Sequence, residues 1–209
     1  TLIYALADVE QDNGDFAVGN LLRDDGRGWA PAGHQGSPSP RAALLLAGRE
    51  FGGPGMQLRV TLKYDSAYKE HVLGRVRLAT SAASAAGLEA LPVATSGMSV
   101  LGPFQAKDRD ALYTTDFGAE KLTWLDQDQR TGEQAWRYDP KLVAGSTHPL
   151  KSGVNAQYIA QRIWVPSARR VELALGSDDG FVVFVDGVQV LERRVDRAVG
   201  VDQDRAAVE

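Results

Sequence analysis

The sequence of 209 residues contains no cysteine, and this excludes disulfide bonds, thiolate nucleophiles, cysteine-ligated zinc and covalently attached haem. Histidine is nearly as scarce, with three residues in the whole chain. None of His34, His71 and His148 has a histidine or carboxylate partner at metal-ligand spacing on one element. We therefore interpret them as loop or strand-end residues.

The chain also lacks long apolar runs and any excess of positive charge. Its apolar runs, such as Phe181–Val185, have the length of a strand, far below the ~20 residues of a membrane span. With 23 basic and 27 acidic residues, the formal net charge is −4, whereas binding of nucleic-acid phosphates requires clustered cations. We expect no membrane span and no nucleic-acid partner, and we interpret the basic clusters as solvated strand edges: Arg169, Arg170, Arg193, Arg194 and Arg197.

Familiar catalytic motifs are missing as well. The sequence has no Gly-x-Ser-x-Gly elbow and no glycine-rich phosphate loop between a strand and a helix. Acidic pairs are plentiful, but they perform glycosidase chemistry only where a fold places two carboxylates across a cleft. We predict that the chain has no catalytic residues and is not an enzyme, with a hydrolase built on paired carboxylates as the remaining enzymatic alternative.

What the sequence does contain is alternation of apolar and polar residues, which predicts half-buried antiparallel strands and an all-β fold. Asp186-Gly187 separates two apolar runs and predicts a hairpin, because both turn residues require positive φ. The best helical pattern, 82–91, is rich in alanine and ends before Pro92. The predicted strands lie at 58–64, 75–78, 159–165, 171–175 and 181–185.

The same alanine-rich segment divides the chain, so we predict a first module over 1–81, a linker over 82–91 and a second module over 92–209. Residues 102–153 are rich in turns, and we expect short strands within them because long structureless loops are unusual in compact domains. Many short strands with turn signals favour two β-sandwich modules over α/β layers.

Three acidic clusters could bind calcium, a hard cation that prefers oxygen ligands. They are Asp24-Asp25-Gly26, Asp126-x-Asp128 and Asp178-Asp179-Gly180, and none has the offsets of an EF-hand loop. For the first two we favour carboxylates that cap turns, since aspartate is a common turn residue. For the third, turn capping and metal binding both stay open.

Trp164 is the best aromatic candidate for stacking on a sugar. It lies beside Arg162 and opposite the apolar face of the strand predicted at 159–165. A tryptophan in that place either stacks on a ligand or packs under a loop, and large aromatic side chains are usually well buried. Burial is therefore the favoured interpretation.

Several stretches also carry a recognisable set of structural motifs, prominent among them the His71-to-Leu78 segment with the sequence HVLGRVRL. Together they resemble large multidomain proteins typical of planctomycete-type bacteria. Those proteins join a cytochrome c-like domain to two large domains of unknown function, with β-sandwich modules between them. The stretches are 7–12, 28–30, 68–78, 101–104, 176–180, 186–188 and 201–204.

The resemblance implies a role for particular residues in each module. The first module resembles the later half of a discoidin-like, galactose-binding-type sandwich, which implies that Asp25 helps form a calcium loop and that Trp29 packs in the core. The second module is similar to PA14 and jelly-roll modules. In PA14-like lectins an aspartate pair before a hairpin coordinates calcium, which implies that role for Asp178 and Asp179.

For the whole chain, the resemblance implies a non-catalytic, carbohydrate-binding-type module pair from a secreted, cell-surface or periplasmic bacterial protein. Calcium would be the cofactor, and glycans and other domains or chains of the same protein the partners. Asp178, Asp179 and Trp164 would bind the ligand, and no haem motif is present in this chain. The alternative is a scaffold that positions a haem or enzyme domain and binds no small ligand.

The first sandwich lacks its early strands in this comparison. A sandwich without one of its strands exposes an edge. Two explanations stay open: the chain is a piece of a longer polypeptide, or partners supply the missing strands.

Overall fold

The computed structural model describes residues 1–11, 15–31, 39–65, 68, 71–119 and 130–209. Strands dominate this part of the chain and pair in small antiparallel sheets, which confirms the predicted all-β fold. The strands are β1 Leu2–Ala7, β2 Ala43–Ala47, β3 Ala94–Thr95, β4 Ser99–Gln105, β5 Arg130–Thr131, β6 Gln134–Ala135, β7 Arg137–Tyr138, β8 Asn155–Ala160, β9 Ile163–Trp164, β10 Val171–Leu175, β11 Phe181–Val185, β12 Val188–Arg193 and β13 Asp204–Val208. The helices are a 3-10 turn at Val18–Leu22, α1 at Ala85–Ala90 and α2 at Arg109–Thr114.

The chain forms two compact units. The first unit contains Thr1–Ser96 and Arg162–Ser167, and the second contains Gly97–Gln161 and Ala168–Glu209. β9 belongs to the first unit because it pairs with β3 in antiparallel register. The chain therefore passes from one unit to the other after Ser96, a few residues beyond the linker predicted at 82–91.

The prediction of a single strand at 159–165 is wrong, because parts of two strands, β8 and β9, lie in this range. β8 pairs with β4 in the second unit, whereas β9 pairs with β3 in the first. Alternation of side chains continues through such a segment whichever strand lies beside it. The available partners decide where each strand ends.

The first unit is built on the β1–β2 pair, in which Ala5 lies opposite Leu45. Tyr4 is fully buried, and its hydroxyl donates a hydrogen bond to the carbonyl of Pro92 at 2.9 Å. Val18 begins the 3-10 helix, and its backbone N–H donates to Glu10 Oε1 at 2.7 Å. These contacts hold together parts of the unit that are far apart in sequence.

The second unit has β4 at the centre of a three-stranded sheet, with β7 on one side and β8 on the other. Leu101 on β4 is completely buried and packs with Ala119 and Trp136. Phe104 joins this core and makes an edge contact with Tyr158, with ring centroids 5.7 Å apart. The short strands β5, β6 and β7 confirm that strands occur within the turn-rich range 102–153.

Two local predictions are confirmed near the end of the chain. Asp186 and Gly187 have φ angles of 49° and 80° and connect β11 to β12 as a two-residue turn. β10 alternates as predicted, with Leu173 less exposed than Glu172, and it pairs with β13.

The prediction of strands at 58–64 and 75–78 is wrong. No strand is assigned in the described residues between β2 and α1. A strand needs a neighbouring strand for its N–H and C=O groups. The described part of the chain supplies none here.

Leu101 and Leu62 form a matched pair for measuring which apolar residues stabilise the fold. Leu101 is 0% exposed and Leu62 is 47% exposed. We expect Leu101→Ala to lower the free energy of unfolding by about 2–5 kcal/mol, because it leaves a cavity in the core. Leu62→Ala should change it by less than about 0.5 kcal/mol. Urea unfolding of both variants measures this, and equal losses would contradict the assigned core.

Candidate functional site

The Asp178-Asp179 turn connects β10 to β11 in the second unit. Asp178 is exposed, whereas Asp179 is half-buried and has a φ of 102°. Ser177 Oγ donates a hydrogen bond to the carbonyl of Asp179 at 2.7 Å. A positive φ at a residue other than glycine is strained, so the surroundings must hold this turn in place.

Arg109, the first residue of α2, forms a salt bridge with the carboxylate of Asp179. Arg109 Nη2 lies 2.9 Å from Asp179 Oδ1, and its Nη1 lies 3.2 Å from Asp196 Oδ2. The same guanidinium donates to the carbonyl of Val195 at 2.5 Å. Arg109 therefore joins the turn, α2 and the segment after β12 through one side chain.

The residues of this turn do not fit a calcium ion as they are arranged. Calcium takes six to eight oxygen ligands, and carboxylates are the strongest of them. In the described residues, no group of three or more His, Asp or Glu side chains could hold a metal ion. Arg109 already pairs with Asp179 Oδ1, so a cation bound at that oxygen would have to compete with a guanidinium. The cluster of Asp126 and Asp128 lies outside the described residues.

Asp25, the predicted calcium ligand of the first module, is likewise paired with arginines. Its Oδ2 lies 2.5 Å from Arg27 Nη2 and 3.3 Å from Arg23 Nη1. Burial alone would raise the pKa of Asp25, but the side-chain and backbone hydrogen bonds from Arg27 outweigh it and lower that pKa. Arg27 also pairs with Asp15 at 2.8 Å. Asp25 is thus part of an arginine–carboxylate network.

A third arginine belongs to this network of the first unit. Burial, together with the positive charges of Arg23 and Arg27, lowers the pKa of Arg162 to about 10. Trp29, predicted to pack in the core, is half-buried, and its Nε1 donates to the carbonyl of Val9 at 2.8 Å.

Trp164, the predicted sugar-stacking residue, packs against its own unit. It lies on β9 opposite Ala94, and its indole ring covers Gly19 of the 3-10 helix. A Cβ atom at Gly19 would come within 2.4 Å of Trp164 Cη2, so only glycine leaves room for the ring. Trp164 belongs to the first unit and Asp178 and Asp179 to the second.

A buried ion pair joins the strands at the end of the chain, and sequence reasoning missed it. Asp204 Oδ1 accepts from Arg193 Nε at 2.6 Å, and its Oδ2 accepts from Arg197 Nη2 at 2.5 Å. The Asp204 side chain is 8% exposed. Arg193 and Arg197 are therefore not simply solvated strand edges, because each holds the same buried carboxylate on β13.

The largest feature that sequence reasoning misjudged is a run of exposed apolar side chains. Every large apolar side chain from Phe51 to Leu78 is exposed, and we call the described residues of this range, 51–65, 68 and 71–78, the exposed segment. Leu58, Val60 and Leu62 are 58%, 47% and 47% exposed. Alternation in the sequence signalled this feature, but it could not show that the structure leaves the apolar face uncovered.

Two stretches of the exposed segment also have no backbone partner among the described residues. Among the described residues, 57–65 and 72–78 make no backbone-to-backbone hydrogen bond. Lys63 Nζ contacts both carboxylate oxygens of Asp24, at 2.8 and 3.0 Å. This side-chain contact connects the segment to the rest of its unit and leaves its N–H and C=O groups available.

The second unit contains one further concavity, of about 500 Å³, lined by Arg130 and residues 133–138. Trp136 contributes to it, and its Nε1 is buried with no hydrogen-bond partner among the described residues. A single stretch of chain forms this surface, and its aromatic ring also belongs to the core.

Comparison with known proteins finds no matching family model, no matching curated protein and no matching solved structure. The resemblance to planctomycete-type multidomain proteins therefore stays a prediction. The α-helices of the described residues are six residues long, and none is long and apolar enough to cross a membrane. The small antiparallel sheets described above place the chain in the all-β class.

The Asp204 ion pair predicts a specific loss of stability in acid. Hydrogen bonds from Arg197 and Arg193 lower the pKa of Asp204. Its contribution to stability is present above the unfolded-state pKa of about 3.9 and disappears as the pH falls through the lower folded-state pKa. We expect Asp204→Asn to lower the melting temperature at pH 7 and to flatten its decline between pH 5 and 2.

The matched control for that experiment is Asp202→Asn, since Asp202 is exposed. Melting curves over the same pH range compare the three proteins. If Asp204→Asn declined in acid as steeply as the unmodified chain, the ion pair would not be the cause.

The pairing of Arg109 with Asp179 predicts the outcome of a calcium titration. We expect isothermal titration of calcium into chelator-treated protein to give no micromolar binding, because the guanidinium already neutralises Asp179. Arg109→Gln should remove that competition, and Asp178→Ala serves as the control. Micromolar binding by the unmodified chain that is lost in Asp178→Ala would instead establish the lectin-like site.

Proposed function

We propose that this chain is a non-catalytic β-sheet module that binds another polypeptide and acts as an interaction scaffold. The observation that carries this proposal is the exposure of every large apolar side chain from Phe51 to Leu78. Soluble monomers rarely leave contiguous apolar patches of more than a few hundred Å² open to water. Larger exposed patches are typical of surfaces that bind a partner.

The exposed apolar side chains leave hydrophobic free energy to be gained at an interface. A standard interface covers about 800 Å² on each partner. Leu58, Val60 and Leu62 each keep about half of their surface in water. Complete burial of such a side chain contributes about 1.5–3 kcal/mol, so much of that free energy remains to be gained on docking.

The carboxylates considered for calcium support this choice over metal-assisted recognition. Asp25 is paired with Arg23 and Arg27, and Asp179 is paired with Arg109. In each case the negative charge is already compensated within the unit. The apolar side chains of Leu58, Val60 and Leu62, by contrast, remain about half exposed to water.

The partners we propose are other domains or chains of the same extracytoplasmic bacterial protein. This part of the proposal rests on the resemblance of the sequence to planctomycete-type multidomain proteins. A module that positions a haem or enzyme domain needs a surface for it, and the exposed segment provides one.

Calcium-assisted glycan binding is the second candidate. One observation favours it: Asp178 is exposed beside Asp179, whose φ of 102° is unusual for a residue other than glycine. Strained residues cluster at functional turns. The calcium titration described above decides between a ligand site and a structural turn.

Substitutions on the two faces of the exposed segment test the interaction proposal. We expect Leu58, Val60 and Leu62 changed together to serine to abolish most binding of the dye ANS, which reports exposed apolar surface. The melting temperature should stay within a few degrees, because these side chains are not part of the core. Dye fluorescence and thermal unfolding measure the two effects.

The matched control changes Arg59, Thr61 and Lys63 to serine, which should leave dye binding intact. A large fall in melting temperature for the apolar triple variant would show that these side chains form part of the core. That result would rule out the exposed segment as a binding surface.

A further inference from the structure

We propose that the exposed segment binds a β-strand supplied by a different polypeptide, and that this strand carries acidic side chains alternating with apolar ones. The inference rests on the proposed interaction function and names the chemistry of the partner. Three properties of the segment support it: its free backbone, its alternating apolar face and its positive charge.

The backbone of two stretches is open to hydrogen bonding along its length. Residues 57–65 and 72–78 make no backbone-to-backbone hydrogen bond within the described chain, and all of them are exposed. Addition of a strand satisfies N–H and C=O groups in series, and it places alternate side chains of the ligand on one face. A partner without a free strand edge would displace water from these groups on docking without replacing its hydrogen bonds.

The apolar residues have the spacing that a strand partner can use. Leu58, Val60, Leu62 and Tyr64 are two residues apart, so they share one face once the segment is paired as a strand. All four are exposed. The partner must therefore present apolar side chains at the same period of two.

The charge of the segment selects an acidic partner. Residues 56–78 contain five basic and two acidic residues, a formal net charge of +3 in a chain of −4. Arg59, Lys63, Arg75 and Arg77 alternate with the apolar positions, and each is exposed. Opposite charges directly across two strands stabilise the pair, and like charges destabilise it.

Two other partners fit less well. In a symmetric dimer the same surface occupies both sides of the contact, so pairing of the segment with itself would bring Arg and Lys residues against one another. An anionic membrane would attract the cations. It offers no hydrogen-bond partner for the free backbone, and a lipid environment requires every backbone group to be satisfied.

The test uses two synthetic peptides of about nine residues, the length of a strand. In one, valine alternates with glutamate, and in the other valine alternates with lysine. We expect fluorescence anisotropy to show roughly tenfold tighter binding of the glutamate peptide at low salt, with a smaller ratio at 1 M salt because of screening. The double variant Arg75→Glu, Arg77→Glu should weaken that preference or reverse it.

The control variant Glu172→Arg changes the charge of an exposed residue on β10, in the second unit. It should leave the preference for the glutamate peptide unchanged. Equal binding of the two peptides, or binding of neither, would overturn the proposal. So would a dimer in analytical ultracentrifugation that the apolar triple variant abolishes, or binding only to vesicles of phosphatidylserine and phosphatidylcholine. If neither peptide binds but the dye experiment succeeds, the surface is retained and the acidic strand is rejected.

Discussion

The pairing of strand backbones is the constraint on which the rest of this structure depends. A strand buries its side chains only where a neighbouring strand accepts its N–H and C=O groups. β4 has such neighbours on both sides, and its Leu101 is the completely buried centre of the second unit. The exposed segment has none among the described residues, and its apolar side chains remain in water.

Arginine side chains impose a second constraint, on the acidic residues. Asp25, Asp179 and Asp204 each lie within hydrogen-bond distance of at least one guanidinium. An aspartate held in this way contributes to folding through charge-assisted hydrogen bonds. The same contact reduces its capacity as a metal ligand, because the cation would have to compete with an arginine.

These two constraints point to the same kind of function. The candidate calcium ligands Asp25 and Asp179 are paired with arginines inside their own units, whereas the apolar side chains of the exposed segment are open to water. The exposed segment is therefore the surface on which the interaction proposal rests. A partner strand would complete the hydrogen bonding, the apolar contacts and the charge balance together.

Local preferences allowed the sequence by itself to determine part of this protein. The positive φ angles needed at Asp186 and Gly187 suit those two residue types, so the hairpin could be predicted. Strand β10 could also be predicted from the sequence, because one face of a half-buried strand must be apolar and its residues alternate accordingly. The all-β class followed from many such short segments.

Only the tertiary structure decided which partner each residue meets. Arg109 reaches Asp179 from a helix distant in sequence, and the segment containing Ile159 and Trp164 divides between two sheets. Alternation at 58–64 predicts an apolar face but does not say what covers it. The period of side chains along a strand is a local property, whereas pairing depends on distant parts of the chain. For this reason the arginine partners of Asp25 and Asp179, and the exposure of the apolar side chains at 58–64, could be assigned only from the fold.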